Sequence, residues 1–406
     1  MSTSREVEVA VVGGGPAGAA TAILLAAAGR EVALFERRAT PVWRACGVYS
    51  SPMTRQALVE LGLSPSAVAA LATPIAAMLV ETAGGARLRL AHDPPFALGV
   101  DRPALDAALL ARAREAGAEV HEGTAVTAIA PAGSGRIARL RVAEGAADVA
   151  WAARVVVGAD GPRSMVARAA GLARRLPLLH RAGLTCHVAA PGAHPADLRP
   201  GPAEARMIVG RGWYVGLAPV PGRRINVGLV LAAGRFRAGL AEMDPGGIVK
   251  RALGQLPGDA ARLGDAERTD EVRVAYPLGH RVAHAAGRGV LLVGDAAGFV
   301  DPISGEGIHR ALASAGSATE AVQAYLRGSS VALEGHDRRM RDRFGAKDVV
   351  AWLLQAFMAR PSLLDYAVRR LDRRQALGRT FGLVLADLVP AARALEPRFL
   401  LELLAP

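Results

Sequence analysis

Lysine is nearly missing from this chain. Only Lys250 and Lys347 stand among 49 Lys and Arg residues, so the net charge of +12 rides on guanidinium groups. The arginines alternate with acids, and aromatics make up only 4% of the chain with no run of them available to stack on bases, which argues against a nucleic-acid partner. Cysteine is equally scarce. Cys46 and Cys186 build neither a disulfide framework nor a metal-ligand set, so no metal is expected, and a reducing cytoplasmic setting is. No stretch of roughly 20 apolar residues runs free of charges or glycine breaks, which excludes an expected membrane-spanning helix. The N-terminus enters a strand pattern at once, without a charged-then-apolar signal segment. The basic stretch from Arg338 to Arg379, with Arg369, Arg370, Arg373 and Arg374, leaves peripheral contact with an anionic membrane open, a solvated helical face being the plainer account. Low-complexity tracts and internal repeats are absent.

What is present is core-forming material: 406 residues, 51% of them apolar, enough for two to three domains and a bound cofactor. Residues 7–12, VEVAVV, read as a buried parallel strand running into GGGPAGAATAILLAAAG, a glycine turn and an Ala-rich helix. Gly13, Gly15 and Gly18 hold the G-x-G-x-x-G spacing. The first allows a tight turn, the second lets backbone approach a pyrophosphate, and the third lets helix and strand pack closely. The helix start then offers free N–H groups to phosphate. EVALF is the next strand and ends at Glu36, where a carboxylate can bond ribose hydroxyls. An ordinary glycine turn would satisfy the spacing alone; strand, loop, helix, strand and acid in this order point to a dinucleotide.

Three further units follow. DRPALDAALLARAREAGAEV places a helix from about Pro103, with Arg102 and Asp106 near its start, ahead of a strand. ARVVVGADGPRSMVARAAG is a strand, a turn with Asp160 and Gly161, and a helix. GVLLVGDAAGFVDPISGEGIHRAL brings a buried strand to Asp295 and then to a second glycine-rich turn. With the first loop, these units resemble the FAD-dependent oxidoreductases of the p-hydroxybenzoate hydroxylase superfamily, and most of all the geranylgeranyl reductase group. RACG at 44–47 and GWYVGLAPVPGRRINVGL at 212–229 add to the likeness with that group. One departure is visible: where the group usually carries a second aromatic before the proline, this chain has Leu217 and Ala218.

The resemblance implies an α/β fold with a discontinuous Rossmann-like FAD-binding domain, an antiparallel-sheet substrate domain and a helical C-terminal region. The expected spans are 1–73, 96–175 and 271–330 for FAD, 74–95 and 176–270 for the substrate sheet, and 331–406 for the helices. FAD contacts are expected in the first loop at Gly13, Gly15, Pro16, Ala17 and Gly18, and at Glu36 and Arg37 beyond it. Arg44, Cys46 and Gly47 form a second group, with Arg102 and Val126. Asp160 and Gly161 would shape the turn near the pyrophosphate, and Asp295 would bond the ribityl chain. Pro302, Gly305, Gly307 and Ile308 would face the flavin ring, where backbone N–H groups at a helix start suit the negative charge of reduced flavin.

Cys46 is the catalytic candidate, shaping the site or relaying a proton. Glu306 and His309 are weaker candidates for acids, and Trp213 and Tyr214 are the candidate substrate contacts. Two activities fit. One is reduction of carbon–carbon double bonds in a small hydrophobic, isoprenoid-type substrate. The other is hydroxylation of an aromatic or polyketide substrate through a flavin hydroperoxide. No second nucleotide-binding unit stands out, so electrons would come from transiently bound NAD(P)H or a partner reductase. Flavin halogenases need a lysine early in the substrate domain, and none precedes Lys250.

Overall fold

The computed structural model describes residues 5–39, 41–131, 138–144, 147–176, 180–190 and 203–404. Parts of the expected substrate domain, at 177–179 and 191–202, lie outside them. The chain forms two sheets with helices packed on each.

The first sheet is built on five parallel strands in the order Val290–Leu292, Ala147–Gly158, Arg5–Val12, Val32–Glu36 and Glu119–Glu122. Val9 to Val12, Val32 to Phe35 and Val155 to Val157 are buried, as continuous apolar strands covered on both faces must be. On one face the helices Pro16–Ala27, Arg102–Glu115 and Gly307–Leu326 supply the core around Ile23, Leu105 and Val322. On the other, Trp151 packs edge-on against Phe35 at 5.1 Å between ring centroids, and His121 stacks on Phe35 at 5.2 Å. An antiparallel hairpin, Ala125–Pro131 with Ala138–Glu144, extends this side from the Ala147–Gly158 strand.

The second sheet has nine strands and is antiparallel except where Ala203–Gly210 runs parallel to Ala72–Thr82. Its centre is Arg181–Ala189, Arg224–Ala232, Trp213–Val220 and Ala203–Gly210. Alternation splits the faces: Leu184, Cys186 and Val188 join the core under the helices Ala233–Glu242 and Pro245–Gly254, while Gly183 and Thr185 look toward the first sheet. Ala97–Val100, Tyr49–Ser50 and Arg273–Ala275 all pair into this sheet, although they fall within spans that the sequence assigns to the FAD-binding domain. A four-residue apolar run such as ALGV carries no periodicity that could say which sheet it joins.

Beyond residue 331 the helices Pro361–Arg373 and Gln375–Leu385 pack against the Arg87–Ala91 strand and its neighbour Ala72–Thr82, while Ala332–Met358 lies on Gly307–Leu326 and Pro397–Leu404 on the two middle helices. Leu88 and Leu90 meet Leu371, Leu377, Val384 and Phe399 in one core. Pro361 and Pro397 sit in first turns, where a missing N–H costs nothing and the ring stops the preceding helix from continuing. Among the described residues no helix is long and apolar enough to cross a membrane.

Trp151 is 2% exposed, so Trp151→Ala should cost about 3–5 kcal/mol through the cavity it leaves. Urea unfolding of both proteins measures it. A loss below about 1 kcal/mol would mean that this face of the sheet collapses around the gap.

Candidate active site

Between the sheets lies a cavity of about 820 Å³, within the range of small-molecule and cofactor sites. The carboxyl ends of four neighbouring parallel strands open into it, which is where ligands bind in open α/β sheets.

The glycines of the first loop divide the work. A Cβ on Gly13 would stand 2.4 Å from the Ala159 carbonyl oxygen, and one on Gly18 would stand 1.9 Å from the Gly13 oxygen. Both are packing glycines, and Gly18 accordingly does not line the cavity. A Cβ on Gly15 would meet only open space, its nearest neighbour being Arg102 Nη2 at 3.9 Å. Gly15 leads into a helix whose first internal bond is Ala19 N–H to Gly15 O at 2.9 Å, so the N–H groups of Ala17 and Gly18 precede the ladder. Pro16, Ala17, Arg37 and Val126 line the same end.

Glu36 is buried at the tip of its strand. Its Oε2 accepts from Gly14 N–H at 2.8 Å, its Oε1 from Arg38 N–H at 3.1 Å, and Arg44 Nη2 approaches Oε2 at 3.0 Å. Burial pushes this carboxyl up, but the Arg44 charge and hydrogen bond and the two backbone donors outweigh it, leaving the pKa below its ordinary 4.5. Arg44 also reaches Asp106 at 3.8 Å, and Asp106 takes Arg102 Nε at 3.0 Å. Arg102 Nη1 then donates to Cys46 Sγ at 3.3 Å, and Val48 N–H donates to the same sulfur at 3.4 Å. Cys46 and Gly47 line the cavity on a tight turn whose next residue, Val48, is β-branched at φ +50, a strained position for such a side chain.

Asp160 caps the helix Met165–Ala169: its Oδ2 accepts from Met165 N–H at 2.6 Å and from Val166 N–H at 3.2 Å. Its Oδ1 is buried with no hydrogen-bond partner among the described residues, beside Gly161, which is open at φ +80. The Asp295 side chain lines the cavity and makes no hydrogen bond among the described residues; burial pushes its carboxyl up, and Arg310 and Arg102 pull against that. At the far end Gly305, at φ +68, clears the Tyr49 ring, which a Cβ would meet at 2.4 Å. Gly307, with no atom within 4 Å of its Cβ position, begins the helix Gly307–Leu326. Pro302 and Ile308 complete this wall.

Tyr214 lines the cavity and its hydroxyl donates to Asp301 Oδ1 at 2.5 Å, while Arg181 Nη1 holds Asp301 Oδ2 at 3.3 Å. Burial pushes both Tyr214 and Asp301 up. Trp213 does not line the cavity. Successive residues of a strand face opposite ways, so with Tyr214 inward Trp213 lies outward, over Gly210 and against the core under the helices. Glu306 and His309 are buried outside the lining as well, Glu306 against Lys347 at 2.6 Å. Tyr49, Asp106, Asp301, Arg181 and Lys347 escaped the sequence reading as site residues. Asp301 lies inside the quoted glycine-rich stretch, and Lys347 is one of only two lysines in an arginine-rich chain; both were available signals.

These features fit FAD: an open glycine cradle at one helix start, an unpaired Asp160 oxygen near it, an unshared Asp295 carboxylate midway and a second helix start at the other end. Gly15→Ala should keep the stability of the flavin-free protein within about 1 kcal/mol, because φ is −75° and the Cβ has room, yet weaken FAD binding at least about tenfold. Gly18→Ala should destabilise the flavin-free protein itself. Thermal melts with and without FAD, beside a fluorescence titration, separate the two. Because the fold favours ionised Glu36, its contribution is full above its ordinary 4.5 and is lost as pH falls through the lowered value. Glu36→Gln should therefore lose less stability than wild type on acidification below that point, read as unfolding free energy against pH.

The FAD binding domain family matches residues 6–343. Menaquinone reductase of Mycolicibacterium smegmatis is 28% identical over 326 residues, 78% of this chain and 76% of that protein. Digeranylgeranylglycerophospholipid reductase 1 of Methanopyrus kandleri is 31% identical over 314 residues, 76% of this chain and 78% of its own length. A solved geranylgeranyl bacteriochlorophyll reductase-like protein of Thermoplasma acidophilum shares the fold, with TM-score 0.76 and 19% identity over 99% of this chain and 96% of that one. The chain belongs to the FAD-dependent oxidoreductases of the p-hydroxybenzoate hydroxylase superfamily and stands with its geranylgeranyl reductase group.

Proposed function

We propose that the protein reduces carbon–carbon double bonds of a hydrophobic, isoprenoid-type substrate. The observation that carries this reading is the continuity of the cavity. From the Gly305 turn it runs without a partition into a chamber walled by the second sheet and the C-terminal helices, where Met78, Val80, Leu88, Phe357, Leu371 and Leu403 present hydrocarbon. Those six side chains form no hydrogen bond with a polar substrate, and they gain free energy from a long apolar chain at roughly 25 cal/mol per Å² removed from water. The floor nearest the first sheet is small: Gly183, Gly216 and Gly228 line it, with Gly216 directly opposite Gly228 across neighbouring strands. Ala218 also faces the cavity, so the missing second aromatic widens the space available to substrate.

FAD, once reduced, supplies a hydride, and saturation of the double bond then requires one proton at the neighbouring carbon. We assign that proton to Cys46, a reading supported by its sulfur being held by Arg102 and Val48 N–H on the cavity wall. Arg102, clamped by Asp106, keeps that thiol oriented. The apolar chamber excludes water from the reacting carbons. NAD(P)H or a partner reductase would supply the electrons, and a small hydrophobic substrate is the expected partner.

Photoreduced protein mixed anaerobically with a geranylgeranyl lipid should give a product heavier by two hydrogens per bond reduced, read by mass spectrometry. Turnover that demands oxygen and adds one oxygen atom would establish hydroxylation instead. Cys46→Ser should bind FAD normally and lose about a hundredfold in turnover, the scale of general acid catalysis. Unchanged turnover would remove Cys46 from the proton path.

A further inference from the structure

The acid between the two glycines of the ring-end turn points away from the cavity. Glu306 is 7% exposed, and its Oε1 lies 2.6 Å from Lys347 Nζ, off the direction of a proper hydrogen bond, so the contact is one of charge. Lys347, in the helix Ala332–Met358, is 5% exposed. It donates to the Val384 carbonyl at 2.6 Å and to Asp387 Oδ1. A third, longer bond runs to the Leu385 carbonyl at 3.5 Å, so three acceptors take hydrogen bonds from the nitrogen beside the Glu306 charge, which matches the three N–H groups of an ammonium and not the two of a neutral amine. Burial pulls the Lys347 pKa down, and Asp387 pulls it back up. Asp387 sits at φ +59, a left-handed position that a short carboxylate side chain tolerates. One residue further along the same helix, Asp348 takes Arg310 at 2.5 Å. Residues 347 and 348 thus clasp 306 and 310 with the charges crossed.

This clasp binds the C-terminal helices to the first turn of the helix whose start faces the ring end of the cavity. Charges on that turn reach the cavity: Arg310 is among those acting on the Asp295 carboxyl. The Arg310–Asp348 pair sums to zero, whereas Glu306, Asp387 and Lys347 together leave one negative charge. Burial keeps neighbouring His309 below its ordinary pKa, so it adds no positive charge at neutral pH.

We propose that Glu306 and Lys347 set the reduction potential of the bound flavin, with Lys347 as the positioning residue that fixes the Gly305–Gly307 turn. The proposal rests on the reading that the flavin ring lies at this turn. A reduced ring carries added negative charge, which Glu306 opposes and Lys347 offsets.

The test uses holoprotein equilibrated anaerobically with a reference dye at one neutral pH, the flavin ratio being read from absorbance. Glu306→Gln should raise the ratio of reduced to oxidised flavin about fivefold at the same dye poise, and Lys347→Met should lower it by a like factor, the scale of one charge acting through an effective dielectric near 20. The double variant restores the net charge and should return close to wild type. Ratios within about twofold of wild type in Glu306→Gln, or single variants shifting the same way, would overturn the proposal. Should Lys347→Met fail to accumulate, Glu306→Gln decides alone. A wild-type protein that takes up no flavin would overturn the flavin reading itself, a different failure from flavin bound at an insensitive potential.

Discussion

Everything at this site depends on how closely three loops approach one another. Gly13 lies against the Ala159 carbonyl with no room for a Cβ, which sets the Asp160 loop beside the first glycine loop. Gly294, at φ +57, lies against Ala17, where a Cβ would come within 2.8 Å, and this draws the Asp295 loop to the same helix start. Each contact is backbone against backbone or against a methyl group, so none can relax as a long side chain would. Two acids carried by separate strands and the open Gly15 backbone are thereby brought to one crevice before any ligand is considered.

The second sheet answers to a different rule. Its strands alternate, so each residue that faces the cavity is bought with a neighbour that faces the helices. Tyr214 and Trp213 show the consequence, as do Thr185 and Cys186. On the cavity side the residues shrink to glycine and alanine toward the first sheet and become large and apolar toward the C-terminal helices. One continuous space therefore has a polar end formed by parallel-strand loops and an apolar end formed by sheet and helices.

The sequence was legible wherever function and backbone geometry shared a cause. G-x-G-x-x-G, Glu36, Asp160 with Gly161, and Asp295 followed by its glycine turn could be read because each needs a residue type at a fixed distance from a buried strand. Strand membership was less legible. ALGV and the short runs at 49–50 and 273–275 are too brief for any period, and only tertiary pairing assigns them to the second sheet. The rarity of lysine marks Lys347 in the sequence, but its pairing with Asp387 could not be read there, because that contact spans 40 positions and joins helices whose mutual packing no local pattern encodes. Trp213 erred for a simpler reason: two adjacent residues of one strand were given the same face.

The buried charges fall into two kinds, and the difference shows what the site is built to do. Glu36 with Arg44, and Asp106 with Arg102, are paired within the protein. Buried pairs of this sort often add little stability, since desolvation consumes most of the attraction, so their better-supported value is to fix side chains in one arrangement. Asp160 Oδ1 and the Asp295 carboxyl are of the other kind: polar groups at the cavity that take no hydrogen bond from the described residues. Leaving such atoms unpaired costs free energy that a ligand's hydroxyl groups or bound water can return. The paired groups hold the crevice in shape and the unpaired ones receive what enters it. Because the two sets share Arg102, whose guanidinium spans Asp106 and Cys46 and whose charge reaches Asp295, a ligand seated on Asp295 would be felt at the thiol through one side chain.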